Sequence, residues 1–145
     1  MKTVAAILKH KGHQVTTIEP TATIAHVVAM LTELRIGSVV VIDRANQLLG
    51  IVGERDIMRS VAANGAQTLE MTVGQVMTRA LQVAHPETTV VEAMRMMTNS
   101  RSRHLPVMDH DWLVGLISIG DVVKARIMEQ ESEVDSLKMY VGGVG

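Results

Sequence analysis

The sequence predicts an α/β protein built from two copies of one helix-and-strand unit. An offset of 66 residues carries the segment from Pro20 to Ile24 onto the segment from Pro86 to Val90. The offset then falls to 65, and it carries Asp56 onto Asp121. In each copy, apolar residues recur first at helical spacing and then in short β-rich runs. Two copies in 145 residues indicate an internal pseudo-dimer, with grooves where the copies meet.

Two helices are predicted at the start of each copy, on either side of a short extended piece. The first is short, and its apolar spacing is the same in both copies: Val4, Ile7 and Leu8 match Val73, Val76 and Met77. The second follows Pro20 or Pro86 and keeps the apolar spacing of a helix. Thr23 can cap it in copy one, and Thr89 with Glu92 has the spacing of a capping box in copy two. Both segments after the prolines are therefore predicted to be helices.

A β-hairpin and a further helix complete each copy. The predicted strands are 39–42 and 48–52 in copy one, and 105–108 and 112–117 in copy two. The helix after the first hairpin begins near Arg55 and stops at Asn64 and Gly65, a favourable C-terminal pair. We therefore place the first motif at 1–65, a linker at 66–72 and the second motif at 73–127.

The last helix is predicted to extend beyond the second motif, from Asp121 to about Tyr140, with a frayed end at Gly142 and Gly143 in the extension 128–145. It has an apolar stripe interrupted by a glutamine, formed by Val123, Ile127, Gln130, Val134 and Leu137. Such a stripe suits pairing with another helix. We expect its partner to be a second subunit or the N-terminal helix.

Composition excludes several classes of function. The net charge of −1 gives no basic surface for nucleic acid or an anionic membrane. The chain has no Cys, so thiolate metal sites and Cys nucleophiles are excluded. Charged residues interrupt the N-terminal apolar stretch, and no long apolar run follows, so neither a signal peptide nor a membrane span is expected. A soluble cytoplasmic protein with an aliphatic, Met-rich core is predicted.

The repeated order of elements, with a Gly-apolar-apolar-X-X-X-Asp sequence where a strand turns into a helix, resembles the CBS-domain pair. The likeness covers about residues 3–62 and 72–127, and stand-alone bacterial proteins made of one pair are the most similar. The best-marked stretches are Gly50 to Asp56 and Arg103 to Val107. The resemblance implies two tandem β-α-β-β-α motifs related by a pseudo-two-fold axis, each a small mixed sheet packed on helices.

The shared turn suggests a nucleotide site in copy two. A helix N-terminus attracts phosphate oxygens, an ionised Asp accepts from a ribose diol, and a Ser hydroxyl can donate or accept. Ser118, Gly120 and Asp121 have these properties, but a Ser with an acid three residues later is also an ordinary helix cap. The resemblance implies that they hold an adenosine nucleotide. It also implies phosphate contacts from Arg103 or His104. Strand alternation sends these two side chains to opposite faces, so only one of them can point into the cleft. Adenine contacts are implied near Val83, Pro106 and Leu116.

The equivalent site in copy one departs from the family pattern. Gly53 stands where Ser or Thr is expected, so a hydroxyl is missing, although Asp56 is kept. Arg55 is either a phosphate contact or a solvated arginine of the first helical turn. Gly37 and Ser38 occupy the places of Arg103 and His104. We expect this site to bind more weakly or to select another ligand.

Other constellations favour ordinary roles. His10 with His13 is a poor metal site, and Asp109 to Asp111 fits a solvated hairpin loop. Trp112 is expected to pack at the hairpin, with a stacking platform for a base as the alternative.

No catalytic machinery is evident, because neither a Walker loop nor a Gly-X-Gly-X-X-Gly turn is present. We predict a regulatory, energy-sensing module that is not an enzyme. It would bind AMP, ADP, ATP or NAD in the clefts between the motifs without requiring a metal, and form a homodimer as the family usually does. The alternative is a nucleotide-responsive interaction protein acting on an unidentified effector. A hydrolase is the third reading.

Overall fold

The structure, a computed structural model, describes residues 2–79 and 82–144, with side chains as far as Lys138 in the last helix. It divides into two compact units. The first-copy unit is Gln14–Gln82, and the second-copy unit combines the chain up to His13 with the chain from Val83 onward. The leading helix of each sequence copy therefore belongs to the unit built mainly from the other copy. This exchange was not predicted.

The first-copy unit is a four-stranded mixed sheet with helices, as the sequence predicts. Strand β1 is parallel to β2, and β3 is antiparallel to both β2 and β4. In chain order the elements are β1 (Thr17–Ile18), α2 (Ile24–Leu34), β2 (Ser38–Ile42), β3 (Leu48–Gly53), α3 (Glu54–Asn64), a 3-10 helix (Gly65–Glu70), α4 (Val73–Val76) and β4 (Thr78–Arg79). Its buried core is aliphatic and comprises Ile18, Ile24, Val27, Leu31, Val39, Val41, Val52 and Val73.

The second-copy unit packs three helices around an antiparallel hairpin. Its elements are α1 (Val4–Lys11), α5 (Val90–Ser100), β5 (His104–Asp109), β6 (Trp112–Ser118) and α6 (Ile119–Val144). A parallel bridge joins Ala84 to Val107, which extends the pairing beyond the hairpin. The core residues are Val4, Ile7, Leu8, Ala84, Val90, Ala93, Met97, Leu105, Val107, Ile117 and Val122.

The helices after the prolines begin at the predicted caps. The hydroxyl oxygens of Thr23 and Thr89 accept hydrogen bonds from the amides of His26 and Glu92 at 3.2 and 3.1 Å. The Glu92 carboxylate accepts from the Thr89 hydroxyl at 3.0 Å, so the full capping box predicted from the spacing does not form. Both threonines still stabilise their helices, since each satisfies an amide that the helix leaves unpaired.

The segment that we predicted to be a linker, 66–72, contains most of the 3-10 helix. Thr68 is fully buried, whereas its neighbours from 66 to 70 are exposed. The hydroxyl oxygens of Thr68 and Ser60 lie 2.9 Å apart, which ties the segment to α3. Two buried hydroxyls can thus satisfy each other.

Two further predictions need correction. Trp112 does not pack at the hairpin, since it is 72% exposed. It opens β6 opposite Asp109 at the tip of the two-stranded hairpin, where no other element covers it. Helix α6 also extends to Val144, so it includes the glycines 142 and 143 that we expected to fray. In the described residues, no helix is long and apolar enough to cross a membrane.

Candidate functional site

The turn from β6 into α6 is held by a reciprocal cap. The amide of Ser118 donates to Oδ2 of Asp121 at 2.8 Å, and the amide of Asp121 donates to the Ser118 hydroxyl oxygen at 3.1 Å. The backbone oxygen of Arg103 accepts from the amide of Ile119 at 2.8 Å, which fixes the start of β5 against this turn. The ordinary helix-cap role of Ser118 and Asp121 is therefore present. It leaves open whether the same groups also bind a ligand.

Lys11 adds a cation to this turn. Its ammonium donates to Oδ2 of Asp121 at 2.6 Å and to the backbone oxygen of Leu116 at 2.8 Å. Burial by itself would raise the pKa of Asp121, but the Lys11 ammonium and the hydrogen bonds from Ser118 outweigh it and lower that pKa below the ordinary value of 3.8. The carboxylate is therefore fully ionised at neutral pH, the form that only accepts hydrogen bonds.

One oxygen of this carboxylate remains available. The Lys11 ammonium and the Ser118 amide both donate to Oδ2, and within residues 2–79 and 82–144 the neighbouring Ser118 hydroxyl is the only other donor close to this carboxylate. The Asp121 side chain is 24% exposed, so solvent reaches it. A ligand hydroxyl could thus donate to Oδ1 without breaking the cap.

The remaining predicted residues of copy two gather around the same turn. In the hairpin register, His104 lies opposite Ser118 and Pro106 lies opposite Leu116. Directly opposed residues share a face of the sheet, so these four lie on one side while Leu105 and Ile117 fill the core on the other. Val83 precedes Ala84, whose amide donates to the Pro106 oxygen at 2.9 Å.

Arg103 does not follow the predicted alternation. It lies before β5 begins and is exposed, whereas Leu105, expected on the same face, is buried. Alternation applies only within a strand, so it does not fix the direction of Arg103. Its backbone bond to Ile119 nevertheless keeps it beside the α6 N-terminus.

The equivalent turn from β3 into α3 has a more fully occupied carboxylate. Oδ2 of Asp56 accepts from the amide of Gly53 at 2.9 Å, and Oδ1 accepts from the Thr78 hydroxyl at 2.5 Å. The Arg59 guanidinium lies 3.7 Å from Oδ1, and the Asp56 side chain is only 11% exposed. Arg55 is exposed next to this turn. Both carboxylate oxygens of Asp56 are therefore already used.

Gly53 is tightly packed, and a hydroxyl lies opposite it. A Cβ added at Gly53 would meet the backbone oxygen of Gly37 at 2.7 Å and the Cβ of Ser38 at 3.0 Å. Ser38 pairs with Gly53 across the strands, and its buried hydroxyl has no hydrogen-bond partner among the described residues. The hydroxyl missing from position 53 is thus present on the facing strand, which sequence reasoning did not identify as a possible replacement.

Sequence reasoning also missed Lys11 and Thr78. Lys11 is the last residue of α1, and Thr78 lies just after α4. Each contacts the aspartate at the start of its unit's later helix. The signal was available, because the leading helices α1 and α4 had been matched by their apolar spacing. What the sequence did not indicate is that each leading helix packs with the other copy.

A cavity of about 600 Å³ lies between α1 and α6 beside Asp121. This volume is within the usual range for small-molecule sites. Basic and apolar side chains line it; the lining residues are Lys2, Ala6, Ile7, Lys9, His10, Lys11, Asp121, Lys124, Ala125 and Met128. Asp121 is the one predicted site residue among them, so the cavity lies beside the predicted nucleotide site and does not contain its other residues.

The histidines and loop acids suggest no metal centre. In the described part of the chain, no group of three or more His, Cys, Asp or Glu side chains is arranged to hold a metal ion. His13 Nδ1 lies 3.1 Å from the Val114 oxygen, and His110 Nδ1 lies 2.9 Å from Asp109 Oδ1 in the exposed hairpin loop. These contacts agree with ordinary structural and solvated roles.

Fold and site together define a pair of α/β motifs, each with an aspartate capping the helix that follows its hairpin. The CBS-domain model matches residues 5–63 and 73–127, and the chain belongs to the CBS-domain family. It is therefore a CBS pair, a class of regulatory module.

Known relatives agree with this assignment. The chain is 37% identical over 125 residues, 83% of its length, to the mitochondrial CBS domain-containing protein CBSX3 of Arabidopsis thaliana, of which it spans 61%. It spans less than two thirds of the first curated relatives generally. The crystal structure of the CBS-domain protein ATU1752 from Agrobacterium tumefaciens superimposes with a TM-score of 0.82 at 40% identity, covering 86% of this chain and 92% of that one. A CBS-CP12 protein from bloom-forming cyanobacteria, described as hexameric, superimposes with a TM-score of 0.74 at 31% identity. The match covers 83% of this chain and 66% of that one.

Proposed function

We propose that this protein is an energy-sensing regulatory module that binds an adenosine nucleotide, either AMP, ADP, ATP or NAD(H), at the turn from β6 into α6. The observation that carries the proposal is the Asp121 carboxylate, which is ionised, partly exposed and has Oδ1 open beside the Ser118 hydroxyl. Membership of the CBS family, whose pairs commonly bind adenosine ligands, supports the choice of ligand.

The chemistry of the site suits the parts of such a nucleotide. Oδ1 of Asp121 can accept a hydrogen bond from a ribose hydroxyl, and the α6 N-terminus attracts phosphate. Arg103 and His104 lie next to that N-terminus, at the start of β5. An arginine can bind phosphate through two parallel hydrogen bonds. Val83 and Leu116 are half-buried and offer an apolar surface for the base, whereas Pro106 is buried and its backbone oxygen accepts from the Ala84 amide.

The turn from β3 into α3 is proposed as a weaker second site. Gly53, Arg55 and Asp56 surround it, and the Ser38 hydroxyl opposite Gly53 is buried, with no hydrogen-bond partner among the described residues. A ligand hydroxyl would have to compete with Thr78 for Asp56, because both oxygens of that carboxylate already accept hydrogen bonds. Binding there would therefore be weaker than at Asp121.

A homodimer and an effector protein complete the proposal. The exposed apolar stripe of α6 favours a partner helix, and a nucleotide-dependent contact with an unidentified effector is the second candidate function. Pull-down with and without nucleotide separates the effector role from simple ligand storage. Cytoplasmic location remains a prediction from the sequence.

A thermal-shift panel tests the nucleotide proposal. We expect adenosine nucleotides to raise the melting temperature more than guanosine or pyrimidine nucleotides do, because a ligand at a hundred times its Kd adds about 2.7 kcal/mol of stability. Native mass spectrometry of the freshly purified protein would show a co-purified nucleotide as a defined mass increment. No shift with any purine nucleotide or NAD at millimolar concentration would rule out the proposal. Release of phosphate from ATP on prolonged incubation would instead support a hydrolase.

A further inference from the structure

Helix α6 has two different faces in its first half. Val122 is fully buried, and Ala125 and Glu129, three and seven residues further on, are half-buried, so this face packs against the second-copy unit. At about 100° per residue, the stripe Val123, Ile127, Gln130, Val134 and Leu137 is centred roughly 130° around the helix from that face. The four apolar members of this stripe, hereafter the α6 seam, are between 43% and 65% exposed.

The α6 seam has the spacing of a coiled coil. Its steps are four, three, four and three residues, which place Ile127 and Val134 at a positions and Val123, Gln130 and Leu137 at d positions of a heptad repeat. Among parallel coiled coils, β-branched residues at a with Leu at d favour two strands; both a residues here are β-branched, and Leu137 is at d. Gln130 interrupts the apolar layers at a d position, and in an in-register parallel pair it faces the partner's Gln130.

The charges beside the seam select the same orientation. Arg126 and Glu133 occupy g positions, and Glu131 and Lys138 occupy e positions. In a parallel pair, each g residue meets the e residue five places further along the other chain. Arg126 then meets the partner's Glu131, and Glu133 meets the partner's Lys138, so every such contact joins opposite charges.

Antiparallel pairing is less favourable in each of its three nearest registers. One register sets Glu131 against the partner's Glu131, which joins like charges. A shift by one heptad sets Leu137 against the partner's Gly120 and leaves little apolar contact. The opposite shift sets Leu137 against the partner's Val134, but it takes Val123 and Ile127 beyond the partner's seam.

From these observations we propose that α6 of two chains forms a parallel, in-register coiled coil, with a second copy of this chain as the occupant of the α6 seam. The inference specifies the contact of the proposed homodimer and rests on that homodimer. A two-fold axis along the helices makes the contact self-complementary, as in most symmetric dimers.

Single cysteines test the orientation, because the natural chain has none. In a parallel pair, Val123→Cys places two thiols at the same d layer, within the reach of a disulfide. Each of the three antiparallel registers would separate them by about 16 Å or more, given a rise of 1.5 Å per residue. The matched control Ser136→Cys lies outside the seam. We expect Val123→Cys to yield mostly cross-linked dimer on mild oxidation, reversed by reductant, and Ser136→Cys to yield little.

Charge exchange provides a second test that leaves the seam intact. Glu133→Lys and Lys138→Glu should each weaken self-association, because each creates like-charge contacts. Mixing the two variants should restore it, since the lysine introduced in one chain then meets the glutamate introduced in the other, and the natural Glu133 and Lys138 still meet. We expect the mixture to form a mixed dimer in native mass spectrometry.

The outcomes separate this inference from the homodimer itself. One outcome would overturn the coiled coil and keep the homodimer: light scattering shows a dimer, Val123→Cys does not cross-link, and mixing the two charge variants does not restore self-association. A monomer mass throughout the micromolar range would overturn both. Neither result would affect the nucleotide proposal, which thermal shift measures independently.

Discussion

At the scale of single residues, the two repeated aspartates perform one structural role in different surroundings. Both accept a hydrogen bond from the backbone amide three residues earlier. The Thr78 hydroxyl donates to Oδ1 of Asp56, the oxygen that the cap does not use. The Lys11 ammonium instead donates to Oδ2 of Asp121, the oxygen that already accepts from the cap. Only Asp121 therefore keeps an oxygen for a ligand, although the sequence repeat makes the two positions look equivalent.

The difference predicts unequal losses on substitution. Asp121→Ala should weaken AMP binding by more than about a hundredfold, because it removes two hydrogen bonds from the ribose diol, and each bond to a charged group contributes roughly 1.5 to 3 kcal/mol. Asp56→Ala should cost less, and Asp111→Ala, in the exposed hairpin loop, serves as a control. Calorimetric titration measures all three, with circular dichroism to check folding. Equal losses at positions 56 and 121 would show equivalent sites, and an unaffected Asp121→Ala would leave Asp121 only its capping role.

The lowered pKa of Asp121 predicts a pH dependence of stability. A carboxyl whose pKa is lower in the folded than in the unfolded state stabilises the protein above its unfolded pKa, and this contribution is lost as the pH falls through the folded pKa. The excess stability of the natural protein over Asp121→Asn should thus be constant near neutral pH and shrink below 3.8. Urea unfolding at a series of pH values measures it, and Lys11→Met should reduce the excess. An excess that does not change in acid would contradict the ionic contribution.

At the scale of elements, the two strand-to-helix turns differ in the space around their glycines. Gly53 ends β3 against the backbone oxygen of Gly37, so a side chain there meets an atom that cannot rotate away. Gly120 lies in the first turn of α6, and a Cβ there would meet only the Ser118 hydroxyl oxygen at 3.6 Å, an ordinary contact. The missing family hydroxyl at position 53 therefore cannot be restored without moving the facing strand.

This packing predicts opposite effects of two small substitutions. Gly53→Ser should destabilise the protein by roughly 1 to 3 kcal/mol, as overpacking usually does, without strengthening nucleotide binding. The matched control Gly120→Ala should be neutral or stabilising by up to about 1 kcal/mol, because Ala is the better helix former. Thermal unfolding with and without AMP measures both effects. A Gly53→Ser protein of natural stability that bound AMP more tightly would contradict the close approach to Gly37.

At the scale of the whole molecule, the compact units do not coincide with the sequence repeats. Helix α1 contributes Val4, Ile7 and Leu8 to the core of the second-copy unit, and Leu8 fills the space that Gly115 leaves by having no side chain. The amides of Val4 and Ala5 donate to the backbone oxygens of Thr88 and Pro86 at 2.8 Å. The N-terminus is thus joined to a unit whose other residues begin about 70 positions later.

This assignment predicts a large effect from the N-terminal helix. Leu8→Ala should destabilise the protein by about 2 to 5 kcal/mol, because Leu8 is almost fully buried. Ala5→Ser, on the exposed side of the same helix, should change stability little. Hydrogen exchange should show the loss in β5 and β6 before β2 and β3. Equal effects of the two substitutions would show that α1 is not part of this core.

The sequence by itself determined the repeated elements, the hairpins and the aspartate at each strand-to-helix turn, because these depend on local periodicity, turn residues and capping. It also placed Ser118, Gly120 and Asp121 together, since they are neighbours along the chain. The hairpin added His104, Pro106 and Leu116 through its register, which the turn and the apolar pattern set.

Only the tertiary structure decided which leading helix packs in which unit, and hence that Lys11 meets Asp121 and Thr78 meets Asp56. Those contacts join residues 110 and 22 positions apart, so no local pattern specifies them. It also decided that Trp112 is exposed, since an aromatic residue in a strand is buried only where another element covers that strand. The unequal carboxylates follow from these long-range contacts, because the free oxygen of Asp121 depends on where its partners approach.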